Sequence, residues 1–338
     1  MSRLLLIGSS FFGYRDRVAV ELRRQGHEVD EIDDRPSENV AFKSVAKVLP
    51  AVLDGAISRY AETICGEIAS HPYDYVIYMG GMTFLFNRKQ VQHMRASRQG
   101  AVFIAYLWDS LNNSPRIAES LDLFDRVFSF EPSDCAARGL ELRPLFFSGD
   151  YKDVPLEPEG GYDYDACFIG SVHQPSKFAA VKTACDRLKR SGMRVFEYFF
   201  MPSRLAALLR EAINPVYRGV DFKYEPLKPN EVASIYARSR AIIDSPQSGQ
   251  SGLTMRTLET LGAHRKLITA NADIKNYEFF RKNNVFVLED GASPDKSFFS
   301  RPFDALPHNV YESYSIASFV RTILGEDAGY QGYRRPLR

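Results

Sequence analysis

The chain has 338 residues, 45% of them hydrophobic and 25% charged, with a formal net charge of +1. That length suits two domains or one large one, the composition is ordinary for a globular protein, and the near-zero charge argues against bulk binding of nucleic acid. No apolar run approaches a membrane span, and the four apolar residues at 4–7, followed at once by Gly8, read as a strand and not as a signal peptide. Cys65, Cys135, Cys167 and Cys185 form no C-x-x-C pair and do not cluster with histidine, as expected of buried thiols in a reduced, cytosolic protein.

The strand at 4–7 leads through a turn at 8–13 into a helix over 14–25, then Gly26 and a strand over 27–32, the opening of a doubly wound sheet. Gly8 and Gly13 do not fit G-x-G-x-x-G, and no Lys-Ser/Thr follows to make a P-loop. The turn is therefore expected to approach an acceptor or a phosphate, through Ser9, Phe11 and Gly13. Residues 40–70 read as helical, with Val45, Val48, Leu53, Ile57, Ile64 and Ile68 at helical spacing and Pro50 as an interruption. A strand over 73–79 ends in Gly80 and Gly81, where backbone can approach a ligand closely. The next, over 101–107, delivers Trp108, Asp109 and Asn112 to its carboxyl end, where α/β proteins place chemistry. Asp109 equally suits an N-cap or Asx turn before a helix at 116–122. A strand over 125–130 ends in Glu131, a second carboxylate at the same edge, and a further strand is expected over 140–147.

Residues 149–163 are rich in Gly, Pro and charge and read as a linker. A second series follows: a strand at 164–169 ending in Gly170 and Ser171, a helix at 177–190 beginning with Lys177, a strand at 194–200 and helices at 203–212 and 230–238. The expected division is 1–148, linker 149–163, 164–325 and a tail at 326–338. Asp163 and Asp165 form a D-x-D, but it precedes a strand instead of following one, so no metal is assigned.

The most informative stretch is 241–271. An apolar run at 241–244 ends in Asp244, a Gly/Ser-rich loop fills 245–252, and a helical pattern over 254–261 puts Leu253, Thr257, Leu258 and Leu261 on one side. Gly262 is expected to close that helix, and a strand follows at 266–270. A helix that starts behind such a loop at strand ends is a ready anion site, to which Arg256 adds a positive charge. Glu259, one turn on, can accept both hydroxyls of a ribose. Arg256 and Glu259 also suit an ordinary surface ion pair.

These residues resemble the donor-nucleotide segment of GT-B glycosyltransferases, in which a Gly-rich loop and an apolar residue lead into a helix that carries a Glu and then a Gly. Here Gly252, Leu253, Glu259, Thr260, Leu261 and Gly262 carry the likeness, and the wider arrangement is similar to bacterial lipopolysaccharide and capsular polysaccharide transferases, including the CgeB-like group. The resemblance implies an α/β protein of two Rossmann-like, doubly wound domains facing a cleft, with 149–163 as a hinge. It implies a nucleotide-sugar donor held by Ser171, Lys177, Ser248, Gly249, Ser251, Gly252, Thr254, Arg256 and Glu259. A glycan or glycolipid acceptor would meet Ser9, Phe11, Gly13, Gly81, Trp108 and Asn112. Asp109 and Glu131 are the candidate catalytic carboxylates, with no metal or other cofactor. Nucleic acid is not an expected partner; peripheral contact with the inner face of the cytoplasmic membrane is. Many retaining members carry a second Glu eight residues before the first; that position is Ser251, so the motif does not support retaining chemistry. Two other readings stay open: a nucleotide-sugar epimerase or hydrolase, and a non-catalytic nucleotide-sugar-binding protein.

Overall fold

Leu4, Leu5, Leu6 and Ile7 are all buried, which is why the first strand carries no polar alternation: a parallel strand covered on both faces selects apolar side chains throughout. The computed structural model describes residues 1–9, 13–37, 53–81, 84–172, 174–246, 249–288 and 292–335. Phe11, His173 and Ser248, and the part of the expected 40–70 helix that holds Val45, Val48 and Pro50, lie outside the described residues. The chain forms two compact units.

The first unit runs β1 (Arg3–Gly8), α1 (Tyr14–Arg24), β2 (Glu28–Ile32), α2 (Asp54–Ser70), β3 (Tyr75–Gly80), α3 (Arg88–Ala96), β4 (Val102–Leu107), α4 (Pro115–Ala118), β5 (Arg126–Ser129), α5 (Pro132–Arg138) and β6 (Glu141–Leu142). Its six strands pair in the order β2-β1-β3-β4-β5-β6, all parallel. The second unit contains α6 (Gly149–Lys152), β7 (Tyr164–Ser171), α7 (Pro175–Arg190), β8 (Val195–Phe200), α8 (Arg204–Ile213), β9 (Phe222–Lys223), α9 (Pro229–Ala237), β10 (Ser239–Asp244), α10 (Met255–Gly262), β11 (Lys266–Thr269), β12 (Val285–Val287), α11 (Lys296–Ser300) and α12 (His308–Glu312). Its sheet is again parallel, in the order β12-β11-β10-β7-β8-β9. Counted from β7, that is the Rossmann order 3-2-1-4-5-6, while the first sheet follows the flavodoxin-like 2-1-3-4-5 order extended by one strand. Each order reverses once, between β1 and β3 in the first unit and between β7 and β10 in the second. No helix among the described residues is long and apolar enough to cross a membrane.

The unit boundaries differ from those expected. The first unit comprises Met1–Pro144 and Ile316–Tyr330, the second Leu145–Ser315 and Gln331–Pro336. The expected linker is part of the second unit because Arg265 ties it down. This buried guanidinium donates to the carbonyls of Pro155 (2.6 Å) and Leu156 (3.0 Å) and also to those of Tyr236 (3.0 Å) and Ala237 (2.9 Å) at the end of α9. Burial pulls its pKa down, and carbonyl dipoles rather than a carboxylate solvate the charge. The final helix, α13 (Ile316–Leu324), returns to the first unit, where Phe319 packs 4.7 Å from the Tyr106 ring and Arg126 Nη1 donates to the Ile323 carbonyl at 3.2 Å. The strand expected over 140–147 shortens to Glu141–Leu142.

Gly262 does not close α10 by a left-handed turn. The left-handed residue is His264 (φ 51°), with His264 N–H donating to the Leu261 carbonyl and Arg265 N–H to that of Thr260, both at 3.0 Å. This is a Schellman cap, and it is what delivers Arg265 to its buried position. Gly262 is needed for a different reason: a Cβ there would stand 2.6 Å from Cγ of Phe147. Gly262→Ala, which in an open helix would stabilise by about 1 kcal/mol, is expected instead to destabilise by roughly 1–3 kcal/mol through overpacking, read as a lower urea midpoint.

Candidate nucleotide and acceptor sites

The centre of the second unit's carboxyl edge is Asp244, the last residue of β10 and only 1% exposed. Its carboxylate accepts from Arg256 Nη1 at 2.9 Å, Thr254 Oγ1 at 3.0 Å and Thr257 Oγ1 at 3.1 Å. Thr254 also N-caps α10, accepting from Thr257 N–H at 3.2 Å. Arg256 crosses to the neighbouring strand, where Nη2 donates to the Ile169 carbonyl at 2.7 Å and the guanidinium lies over the Phe168 ring. Gly170 makes room for it, since a Cβ there would stand 2.6 Å from Arg256 Nη2. Burial alone would lower the Arg256 pKa; Asp244, the Tyr236 hydroxyl and the Glu259 carboxylate outweigh it and hold the group above its ordinary value.

Lys177, in the first turn of α7, meets the same cluster. Burial and the Arg256 charge lower its pKa, and Asp244 partly offsets them. Lys177, Arg256 and Glu259 are thus gathered where β7 and β10 diverge, beside the start of α7 and of α10. The loop before α10 is pinned from β11's end: Asn271 Nδ2 donates to the carbonyls of Ser251 (2.9 Å) and Gly252 (3.4 Å). Gly249 takes a left-handed φ of 80°, and Ser171 is exposed at the end of β7. Thr254 is engaged in capping and in holding Asp244.

In the first unit Ser9 and Gly81 stand just beyond β1 and β3, on either side of the point where the strand order reverses, and Trp108 and Asp109 follow the adjacent β4. Asp109 is half-buried against Gly81, where an added Cβ would come within 2.5 Å of the Asp109 Cβ. The 108–113 segment is held by Trp108 N–H on the Gly80 carbonyl (3.1 Å) and Leu111 N–H on Asp134 Oδ2 (2.8 Å). Burial, helped by the nearby Glu131 charge, raises the Asp134 pKa against that hydrogen bond. Asn112 is exposed on a short turn, and Gly13 (φ 68°) sits at the N-cap of α1. Glu131 departs from the expected role: it is 1% exposed and caps α5, accepting from Ser133 N–H at 3.3 Å and Ser133 Oγ at 2.8 Å. Arg15 donates to the Gly8 carbonyl at 2.8 Å and pairs with Asp16, Glu31 and Asp33. Asp163 and Asp165 of the D-x-D are likewise engaged, Asp163 with Arg238 at 3.0 Å and Asp165 with Arg194 N–H at 2.9 Å.

No family model and no curated protein matches the sequence. Solved structures do match over the whole length. An α-glucosyltransferase bound to UDP and a 13-mer DNA superposes with a TM-score of 0.61 at 10% identity, covering 96% of this chain and 99% of that one. A lipopolysaccharide outer core galactosyltransferase, WaaB, gives 0.53 at 13% identity, covering 96% and 100%. A UDP-GlcNAc 2-epimerase from Neisseria meningitidis bound to UDP-GlcNAc gives 0.52 at 9% identity, covering 97% and 100%.

The chain has the GT-B fold. Within it, the resemblance read from 252–262 falls on the reversal point of the second sheet, and the residues read around Asp109 fall at the carboxyl edge of the first. Sequence reasoning did not anticipate Asp134, nor that Asp244 and Gly170, which it placed at strand ends, hold and make room for Arg256. Asp244 has a signal in retrospect, an acid that ends a buried strand ten and twelve residues before Thr254 and Arg256. Removing it leaves the guanidinium and two hydroxyls without their acceptor, so Asp244→Ala is expected to destabilise by about 3–5 kcal/mol, measured by chemical denaturation.

Proposed function

We propose that the protein is a glycosyltransferase that moves a sugar from a nucleotide-activated donor to a glycan or glycolipid acceptor. The setting would be the cytoplasm and bacterial surface-polysaccharide synthesis of the CgeB-like kind. The observation that carries the reading is the gathering of Lys177, Arg256 and Glu259 at the reversal point of the second sheet, beside two helix N-termini. The first unit's edge supports a different task. Its Arg15 is already matched by three carboxylates, which leaves Asp109 to face a hydroxyl rather than a phosphate.

In this reading the second unit holds the donor, with the ribose on Glu259 and the diphosphate on Lys177, Ser171, the 249–252 loop and the N–H groups of α10. Trp108, Ser9, Gly81 and Asn112 position the acceptor. Asp109 takes the proton of the acceptor hydroxyl as its oxygen bonds to the anomeric carbon and the bond to the diphosphate oxygen breaks. The charge that appears on the leaving diphosphate is met by Lys177 and the helix dipole, with no metal required. Ser251 at the place of a second Glu favours inversion. The likeness to the epimerase supports a second reading, conversion of the donor alone. Product formed from nucleotide sugar without acceptor would select it.

A thermal-shift screen against UDP, GDP, CMP, TDP and ADP tests the donor site. One nucleotide at a hundred times its Kd is expected to stabilise the protein by about 2.7 kcal/mol, and the shift is expected to vanish in Glu259→Ala; no shift with any of them overturns the reading. Because the Lys177 pKa is lowered, its charge disappears at a lower pH than an ordinary lysine's. Nucleotide affinity is therefore expected to weaken as pH rises, at a lower pH than an ordinary lysine would set, and in Lys177→Arg to stay level over the same range. With a substrate pair in hand, Asp109→Asn is expected to lower kcat by about a hundredfold or more. Gly81→Ala, which displaces the same carboxylate, is expected to lower kcat while leaving donor KM unchanged.

A further inference from the structure

Helix α8 is packed inside out. Leu205, Leu208, Leu209 and Ile213 are 67, 63, 56 and 82% exposed, while Ala207 is the residue it buries. At helical spacing these four and Ala212 fall within an arc of about 140°, opposite Ala207. An amphipathic helix ordinarily turns that stripe to the core. Here the inward residues are small: Ala207 joins a core cluster that includes Phe178, Tyr217 and Phe222, and Ala206 packs against it. Of the large apolar side chains exposed among the described residues, half lie on α8, and Tyr224 beside it is another.

The stripe is edged by cations. Arg204 and Arg210 fall on its two flanks, with Arg204 over the Tyr224 ring, and Arg218 is exposed in the following segment; Glu211 is the acid on the helix. We infer that α8 is a docking surface for an anionic lipid bilayer, its leucines and isoleucine entering the acyl boundary and its arginines meeting the headgroups. Two features favour a bilayer over a second copy. One ten-residue helix falls short of the roughly 20–30 residues a side that a stable protein interface uses. A convex row of protruding aliphatics also needs no shape-matched partner to be covered by lipid. The inference does not depend on the proposed chemistry.

Co-sedimentation tests it, with vesicles of phosphatidylcholine alone and of a roughly three-to-one mixture with phosphatidylglycerol. The full chain is expected to pellet with the mixed vesicles at low salt and much less with phosphatidylcholine alone. Leu209→Ser/Ile213→Ser is expected to weaken that binding by about tenfold, with thermal stability unchanged since both residues are exposed. Arg204→Gln/Arg218→Gln is expected to weaken it and to flatten its salt dependence. Failure of the wild type to pellet, or equal binding by the Leu209/Ile213 variant, overturns the inference. So does a wild-type dimer in sedimentation equilibrium that the same variant turns into a monomer, since this would assign the stripe to a second copy.

Discussion

The second unit depends on a carboxylate that has been taken out of water. Asp244 ends its strand almost fully buried, and such a group is tolerated only when donors replace its hydration. Three side chains of the α10 start do so, which fixes the helix N-terminus against the strand and stretches Arg256 across to the end of β7. Gly170 follows from that path, because any side chain there would occupy the place of the guanidinium. One desolvated acid therefore sets the position of a helix dipole, a cation and a glycine turn. It also matches much of the Arg256 charge, so that in the proposed donor site Lys177, whose pKa is lowered by burial, would supply the titratable part of the attraction for an anion.

The two sheets use one topological rule for different chemical ends. Both reverse their strand order once, and both carry a glycine in the last residues of a strand at that point, Gly8 in the first unit and Gly170 in the second. What differs is the charge placed there. In the first unit Arg15 bonds the carbonyl at the end of β1 and is surrounded by Asp16, Glu31 and Asp33. Further along the same edge Asp134 supports the segment that presents Asp109. A phosphate would be repelled by such an edge, whereas a hydroxyl that must lose a proton would not. In the second unit cations and helix N-termini converge instead. This contrast is what the proposed division into acceptor and donor roles rests on.

The strands were legible because burial on both faces leaves an unbroken apolar run, as in Leu4 to Ile7 and Ala241 to Ile243. The α10 segment was legible because Thr254, Gly252 and the spacing of Leu258 and Leu261 encode a cap, a loop and a face. What escaped was decided by distant contacts. Nothing local distinguishes Glu131, a buried cap, from Asp109, a half-buried acid beside a glycine. Gly262 looked like a helix terminator because glycine usually serves there, yet Phe147, far away in sequence, sets its need, and His264 takes the left-handed place. The return of α13 to the first sheet is equally invisible: an amphipathic helix announces that it must cover something, not which sheet.

Helix α8 shows the same limit of local pattern with the opposite outcome. Its sequence, RLAALLREAI, specifies an apolar face plainly. The face turned inward is instead that of Ala207, which shares a core cluster with Phe178, Tyr217 and Phe222. Turning four aliphatic side chains to solvent gains nothing for the isolated unit, since each would be worth roughly 1.5–3 kcal/mol if buried. The helix connects β8 to β9, on the flank of the sheet, whereas the proposed nucleotide edge lies at β7 and β10. Lipid on α8 and nucleotide at the strand reversal would therefore engage different elements of the same unit, and either could be lost without the other.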